Sequence, residues 1–172
     1  MERGQKTMNA EQSKAVCDEI AAAFQDVRPP VRCTREEHIA YDRSETLEYY
    51  AGKTWLDIAD DLSHLAGHIE FSFMNRECLL YFLPGYLIGS VRHKFVFVEG
   101  LITALLGIMS ARETEQEEFS YLLQEFTPTQ KKAVAHWARL QLELDKERRP
   151  NLYEGNMPTL QQLSFNRWQQ WG

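Results

Sequence analysis

Apolar residues recur along much of the chain at intervals of three and four residues, the spacing of one face of an α-helix. The first such stripe follows "NAEQ", in which Asn9 and Gln12 have the spacing of a helix N-cap and its third helical residue. The apolar positions of this face are Val16, Ile20, Ala23, Phe24 and Val27. The prolines of "RPP" at 28–30 predict its end, and we expect residues 1–8 to form a flexible N-terminus.

The segment "TWLD" predicts another helix, because Thr54 and Asp57 have the spacing of a capping box. Its apolar positions are Ile58, Leu62 and Leu65. We expect this helix to end at Gly67, since glycine commonly adopts the left-handed conformation that closes a helix. The following segment "HIEFSFM", 68–74, alternates apolar and polar residues and predicts a short extended stretch.

The stretch "CLLYFLPGYLIGSV", 78–91, carries no charge and contains Pro84 in its middle. Asn75 is placed to cap a helix here, and a proline in a helix interior removes an amide hydrogen bond. We therefore expect two helical pieces, or one kinked helix, meeting near Pro84. A membrane-spanning helix needs about 20 apolar residues. Because this stretch is shorter and basic residues follow at 92–94, we interpret it as the centre of a protein core.

The segment "TPTQ" contains the clearest helix start of the chain. Thr127 is the predicted N-cap, Pro128 the first helical residue and Gln130 the third. The apolar stripe that follows consists of Ala133, Trp137, Leu140 and Leu144. We expect this helix to end before Pro150, and the last sixteen residues, "MPTLQQLSFNRWQQWG", to give a short terminal helix.

These segments together predict an all-α protein. We expect a compact single-domain bundle over residues 1–172 with about seven or eight helices, a Pro-kinked central helix and room for one short extended segment. The chain has 172 residues, of which 44% are hydrophobic, and this suits one domain with one sizeable core.

Charge and cysteine content narrow the function classes. The formal net charge is −6, with 25 acidic against 19 basic residues, so the chain lacks the basic footprint of a nucleic-acid-binding protein and should attract basic partners. Cys17, Cys33 and Cys78 are an odd number without C-x-x-C spacing, and no secretory signal pattern opens the chain. We therefore expect reduced thiols, a cytoplasmic location and no membrane association.

One enzymatic hypothesis rests on Asp57, Asp61, His64 and His68. In a continuous helix these four side chains would share one face, where carboxylate oxygens and imidazole nitrogens could bind a divalent transition metal. If Gly67 ends the helix, His68 leaves this face and an ordinary solvent-exposed surface remains. The common nucleotide-binding, hydrolase and zinc-protease motifs are absent. We therefore assign no catalytic residue and no cofactor, and keep the metal-dependent enzyme as the alternative.

Two features suggest a protein-binding surface: an acidic run and the C-terminal tryptophans. These residues are Glu113, Glu115, Glu117, Glu118, Trp168 and Trp171. The acidic run either favours a helix start or attracts a basic partner. The tryptophans either dock the terminal helix onto the core or anchor a partner.

A small-ligand pocket beside the Pro84 break is a further alternative. Its lining would consist of Tyr81, Phe82, Pro84 and Tyr86. A kink can open a cavity, but it can equally let helices pack around a closed core, and the sequence leaves both interpretations open.

In order, "TWLDI", "IEFSFMNRECLLYFLPGYLIGSV" and "EFTPTQKKAVAHW" resemble a family of small bacterial proteins classed only as a domain of unknown function. The resemblance covers roughly Thr54 to Leu144. It implies a bacterial source and a compact helical fold, and it carries over no catalytic residue. We therefore expect a non-catalytic protein that binds another protein, in its most specific form an immunity or antitoxin-like protein against a basic effector. The oligomeric state stays open.

Overall fold

The computed structural model of the chain describes residues 2–31, 33, 48–61, 75–93 and 123–172, and these ranges contain helices and no strand. The predicted all-α fold class is confirmed. The helices with defined bounds are α1 (Glu2–Phe24), α2 (Trp55–Asp60), α3 (Arg76–Arg92), α4 (Pro128–Arg148) and α5 (Leu160–Trp168), with 3₁₀ helices at Pro150–Tyr153 and Gln169–Trp171. The predicted extended stretch 68–74 lies outside the described residues.

The described residues group into two compact units. The first unit contains residues 2–23 and 123–172, and the second contains residues 24–31, 33, 48–61 and 75–93. The single domain expected from the sequence stays a prediction. None of the helices in these ranges combines the length and the hydropathy of a membrane span.

Helix α1 begins at Glu2, earlier than the sequence predicted. Asn9 therefore lies inside the helix, and its assignment as N-cap is wrong; residues 2–8 are part of the same helix. Five of these seven residues, Glu, Arg, Gln, Lys and Met, favour helix, whereas Gly4 and Thr7 do not, and the segment extends α1 without an apolar stripe. The predicted apolar face is present, since Val16, Ile20 and Phe24 are buried.

Helix α2 has the predicted start but an earlier end. Thr54 and Asp57 form the capping box, with the Thr54 amide donating to the Asp57 carboxylate at 2.6 Å. Asp61 leaves the helix with φ −84° and ψ 78°, so the prediction that one continuous helix runs through this residue is wrong. The Asp61 carboxylate instead accepts a hydrogen bond from the Tyr49 hydroxyl at 3.0 Å, a contact that the local sequence cannot reveal.

Helix α3 is a single helix with Pro84 in its interior. Asn75 caps it as predicted, because its side-chain oxygen accepts from the Cys78 amide at 2.8 Å. Residues 81–91 are all buried. Gly85 lies directly against α2, where a Cβ on this residue would be 2.1 Å from the Trp55 carbonyl oxygen. The absence of a side chain at Gly85 therefore permits the close packing of α2 on α3.

Helix α4 confirms the "TPTQ" prediction, with Thr127 and Gln130 in a reciprocal capping box and Pro128 at the first turn. Its predicted apolar face is buried at Ala133, Trp137 and Leu140. It ends at Arg148, before Pro150 as expected. The predicted terminal helix is α5, which packs on α4.

Candidate binding site

The segment between α4 and α5, residues 149–159, exposes two large apolar side chains and is here called the 149–159 loop. Met157 is 82% exposed and Leu152 is 48% exposed. The loop begins with the 3₁₀ helix at Pro150–Tyr153 and ends at Thr159, the N-cap of α5. Removing such apolar surface from water is favourable, so both side chains could contribute to binding a partner.

Asp145, in the last turns of α4, holds the beginning of this loop. Its side chain is only 11% exposed, and its Oδ1 accepts from the Arg149 guanidinium at 2.8 Å (Nε) and 2.7 Å (Nη2). Its Oδ2 accepts from the Tyr153 hydroxyl at 2.5 Å. Charge-assisted hydrogen bonds of this kind are stronger than neutral ones. One carboxylate on a helix therefore fixes two positions of the loop.

Tyr153 connects the beginning of the loop to its end. Its hydroxyl donates to Asp145 and accepts from the Thr159 hydroxyl at 3.3 Å. The Lys146 ammonium lies 5.7 Å from the centroid of its ring. Burial, followed by the hydrogen bond to the Asp145 carboxylate, raises the pKa of Tyr153 to about 12. The hydroxyl therefore stays protonated and remains a donor at neutral pH, which keeps the loop tied to α4 and α5.

An open cleft of about 300 Å³ lies beside the 149–159 loop. Its lining is more polar than apolar: Lys146, Asn156, Gln162 and Asn166 contribute polar groups, and Leu142, Met157 and Phe165 contribute apolar ones. The cleft and the exposed loop residues together form a surface on which a side chain of a partner could be received; we call this the loop surface.

The residues of the predicted ligand pocket are all buried within α3: Tyr81, Phe82, Pro84 and Tyr86. The Tyr86 hydroxyl is hydrogen-bonded to the Tyr50 hydroxyl, and the rings of Tyr50 and Phe82 lie 4.6 Å apart between centroids. Burial is the main reason that the pKa values of Tyr50 and Tyr86 are both raised. In the structure these side chains belong to the core of the second unit.

Asp57 and Asp61, the two predicted metal ligands that the structure describes, do not lie on one helical face. Asp57 is engaged in capping α2, and Asp61 lies outside that helix, 3.6 Å from the Lys53 ammonium. His64 and His68 lie outside the described residues. Because α2 ends at Asp60, the prediction of one continuous helix from Asp57 through Asp61, which the hypothesis required, is wrong. Within the part of the chain that the structure describes, no group of three or more His, Cys, Asp and Glu residues could hold a metal ion.

Of the predicted protein-binding residues, the structure describes only Trp168 and Trp171. Glu113, Glu115, Glu117 and Glu118 lie outside the described residues. Trp168 has no exposed surface, and its ring lies 6.2 Å from that of Phe126 and 5.2 Å from that of Trp171, between centroids. The half-buried Trp171 also has the Lys131 ammonium 5.9 Å from its ring centroid. This placement matches the alternative in which the terminal helix docks through its tryptophans.

Sequence reasoning missed Leu152 and Met157. A signal for them was nevertheless present, since both are large apolar residues in a segment whose Pro150, Gly155 and Pro158 mark a loop. Large apolar residues that lie between glycines and prolines of a loop, and that fit no helical or strand periodicity, are candidates for exposure.

A model of the "Family of unknown function (DUF6714)" matches residues 12–159 of the chain. The match covers most of the sequence, and the chain therefore belongs to this family. The resemblance to a domain of unknown function that the sequence motifs indicated is confirmed. No curated protein and no solved structure shows a significant match.

Proposed function

We propose that this member of the DUF6714 family acts by binding another protein, and that the loop surface is its binding site. The observation that carries the proposal is the exposure of Met157 (82%) and Leu152 (48%) on a segment held by Asp145. A segment that is already ordered loses little conformational entropy on binding, so more of the interaction energy is retained as affinity. The unbranched Met157 side chain can also adapt to the shape of a partner.

The proposed partner is a basic protein. The net charge of −6 favours the approach of a positively charged molecule, whereas the apolar side chains of the loop surface would supply affinity after contact. The most specific form of the proposal is an immunity or antitoxin-like role against a basic effector in a bacterial cytoplasm. It is supported by the small size, the acidic charge and the absence of common catalytic motifs.

The test compares two double variants in affinity purification from the native source. The loop variant carries Leu152→Lys and Met157→Lys. The control carries Leu56→Lys and Val31→Lys, at apolar positions of the second unit that are 49% and 93% exposed. Both variants change the net charge equally, from −6 to −4 (−6 + 2), so a difference between them cannot come from net charge.

We expect the wild type and the control to retain the same basic protein in a 1:1 complex. The loop variant should retain at least about tenfold less of that protein, which corresponds to a loss of about 1.4 kcal/mol in binding free energy. Raising the salt concentration should slow formation of the complex, because long-range charge attraction is screened. Equal retention by all three proteins would rule out the loop surface. A monomeric wild type without any retained protein would count against protein binding itself.

A further inference from the structure

Two free thiols from distant parts of the sequence meet in the second unit, those of Cys33 and Cys78. Asn75 fixes both residues, because its backbone amide donates to the Cys33 carbonyl at 3.4 Å and its side-chain oxygen accepts from the Cys78 amide at 2.8 Å. Asn75 therefore brings the backbones of the two cysteines together at the start of α3.

The two thiols have different environments. Cys33 is partly exposed, while Cys78 is fully buried. The hydrogen bond from Cys78 lowers the pKa of Cys33, and the same hydrogen bond together with burial raises the pKa of Cys78. Since the thiolate is the reactive form of cysteine, Cys33 is the accessible nucleophile and Cys78 is a protonated thiol beside it.

We propose that Cys33 and Cys78 form a peroxide-reactive dithiol site that is converted reversibly to an intramolecular disulfide. The Cys33 thiolate attacks one oxygen of hydrogen peroxide, the O–O bond breaks, and Cys33 sulfenic acid and hydroxide form. The Cys78 sulfur then attacks the Cys33 sulfur. The S–S bond forms and the S–O bond breaks, and the departing hydroxide takes up the Cys78 proton as water. In total two thiols lose two electrons and two protons, and one peroxide becomes two waters.

The arrangement favours this outcome over stable oxidation of a single cysteine. Without a second thiol nearby, a sulfenic acid is open to further oxidation, whereas an adjacent thiol converts it to a disulfide. Asn75 already holds the backbones of Cys33 and Cys78 near each other before any oxidant arrives. Cys17, the third cysteine, is a buried residue of the first unit and serves as an internal control.

The experiment treats the native full-length protein with hydrogen peroxide, blocks free thiols by alkylation and maps the cysteine peptides by mass spectrometry. We expect a peptide pair that is linked through Cys33 and Cys78 and has lost two hydrogens. A thiol reductant should separate the pair and return both cysteines to free thiols. Cys17 should be recovered as a free thiol, and Cys17→Ser should give the same linked pair. If Cys33 and Cys78 stay reduced, or if either pairs with Cys17 as often as with the other, the proposal is overturned.

A second variant tests the order of the two steps. In Cys78→Ala the resolving thiol is absent, so Cys33 should stop at sulfenic acid and react with dimedone several-fold more than in wild type. Equal dimedone labelling of Cys33 in both proteins would contradict the assignment of Cys78. Even if this variant does not fold, peptide mapping of the wild-type protein shows whether the disulfide between Cys33 and Cys78 forms.

Discussion

Replacing Gly85 by alanine should destabilise the second unit strongly, because the new Cβ would lie 2.1 Å from the Trp55 carbonyl oxygen and 3.1 Å from the Ile58 Cβ. A carbon and a carbonyl oxygen normally stay about 3.3 Å apart, so α2 and α3 would have to separate by about 1 Å. The oxygen belongs to the backbone and cannot turn away as a side chain would. Overpacking of a core costs up to about 3 kcal/mol, and alanine regains about 1 kcal/mol of helix propensity. We therefore expect a net loss of about 2 kcal/mol.

The assay is urea unfolding followed by tryptophan fluorescence and circular dichroism, since Trp55 is part of the contact. A loss of about 2 kcal/mol corresponds to a decrease of about 1 M in the urea midpoint at a typical slope. The matched control is Gly155→Ala, where an added Cβ meets no atom within 4 Å and φ is not positive. The reasoning is refuted if Gly85→Ala unfolds at the same urea concentration as wild type and this control.

Three further changes test other parts of the structure. Thr127→Ala should cost about 1 kcal/mol in the free energy of unfolding because α4 loses its cap, whereas Thr129→Ala, at an exposed position in the first turn, should cost clearly less; urea titration compares them. Gly52→Ala should cost about 1 kcal/mol, since φ is +73° there, and a thermal midpoint equal to that of wild type would contradict this. Tyr153 has a folded pKa of about 12 against 10.0 for the free group, so its stabilising effect is complete below pH 10 and is lost as pH rises through 12. Tyr153→Phe should therefore weaken the decline of stability between these pH values, measured by unfolding at each pH. An unchanged decline would contradict the raised pKa that burial and the hydrogen bond to Asp145 give Tyr153.

Features that depend on neighbouring residues were predictable from the sequence. The caps at Thr54, Asn75 and Thr127 follow from spacings of three residues, and the buried face of α4 follows from helical periodicity. The end of α2 was not predictable, because the apolar spacing continues past Asp61. The Asp61 carboxylate accepts a hydrogen bond from Tyr49, which lies outside the helix, and helical periodicity does not indicate such a contact.

The candidate sites were predictable to a smaller extent because they depend on tertiary contacts. Nothing in the spacing of Cys33 and Cys78 indicates that they meet, since Asn75 joins them only in the folded chain. The exposure of Met157 similarly depends on where Asp145 holds the 149–159 loop. Sequence patterns indicate which residues are apolar, but contacts between distant segments decide which of these residues stay in water.

The most direct test of the proposed function is site-specific photo-crosslinking in cells of the native source. A photoreactive amino acid is placed at Met157 in one protein and at Leu56, an exposed apolar position of the second unit, in the other. We predict that Met157 crosslinks to one basic protein and that Leu56 does so several-fold less. Equal crosslinking at the two positions, or crosslinking at Leu56 alone, would contradict the assignment of the loop surface as the binding site.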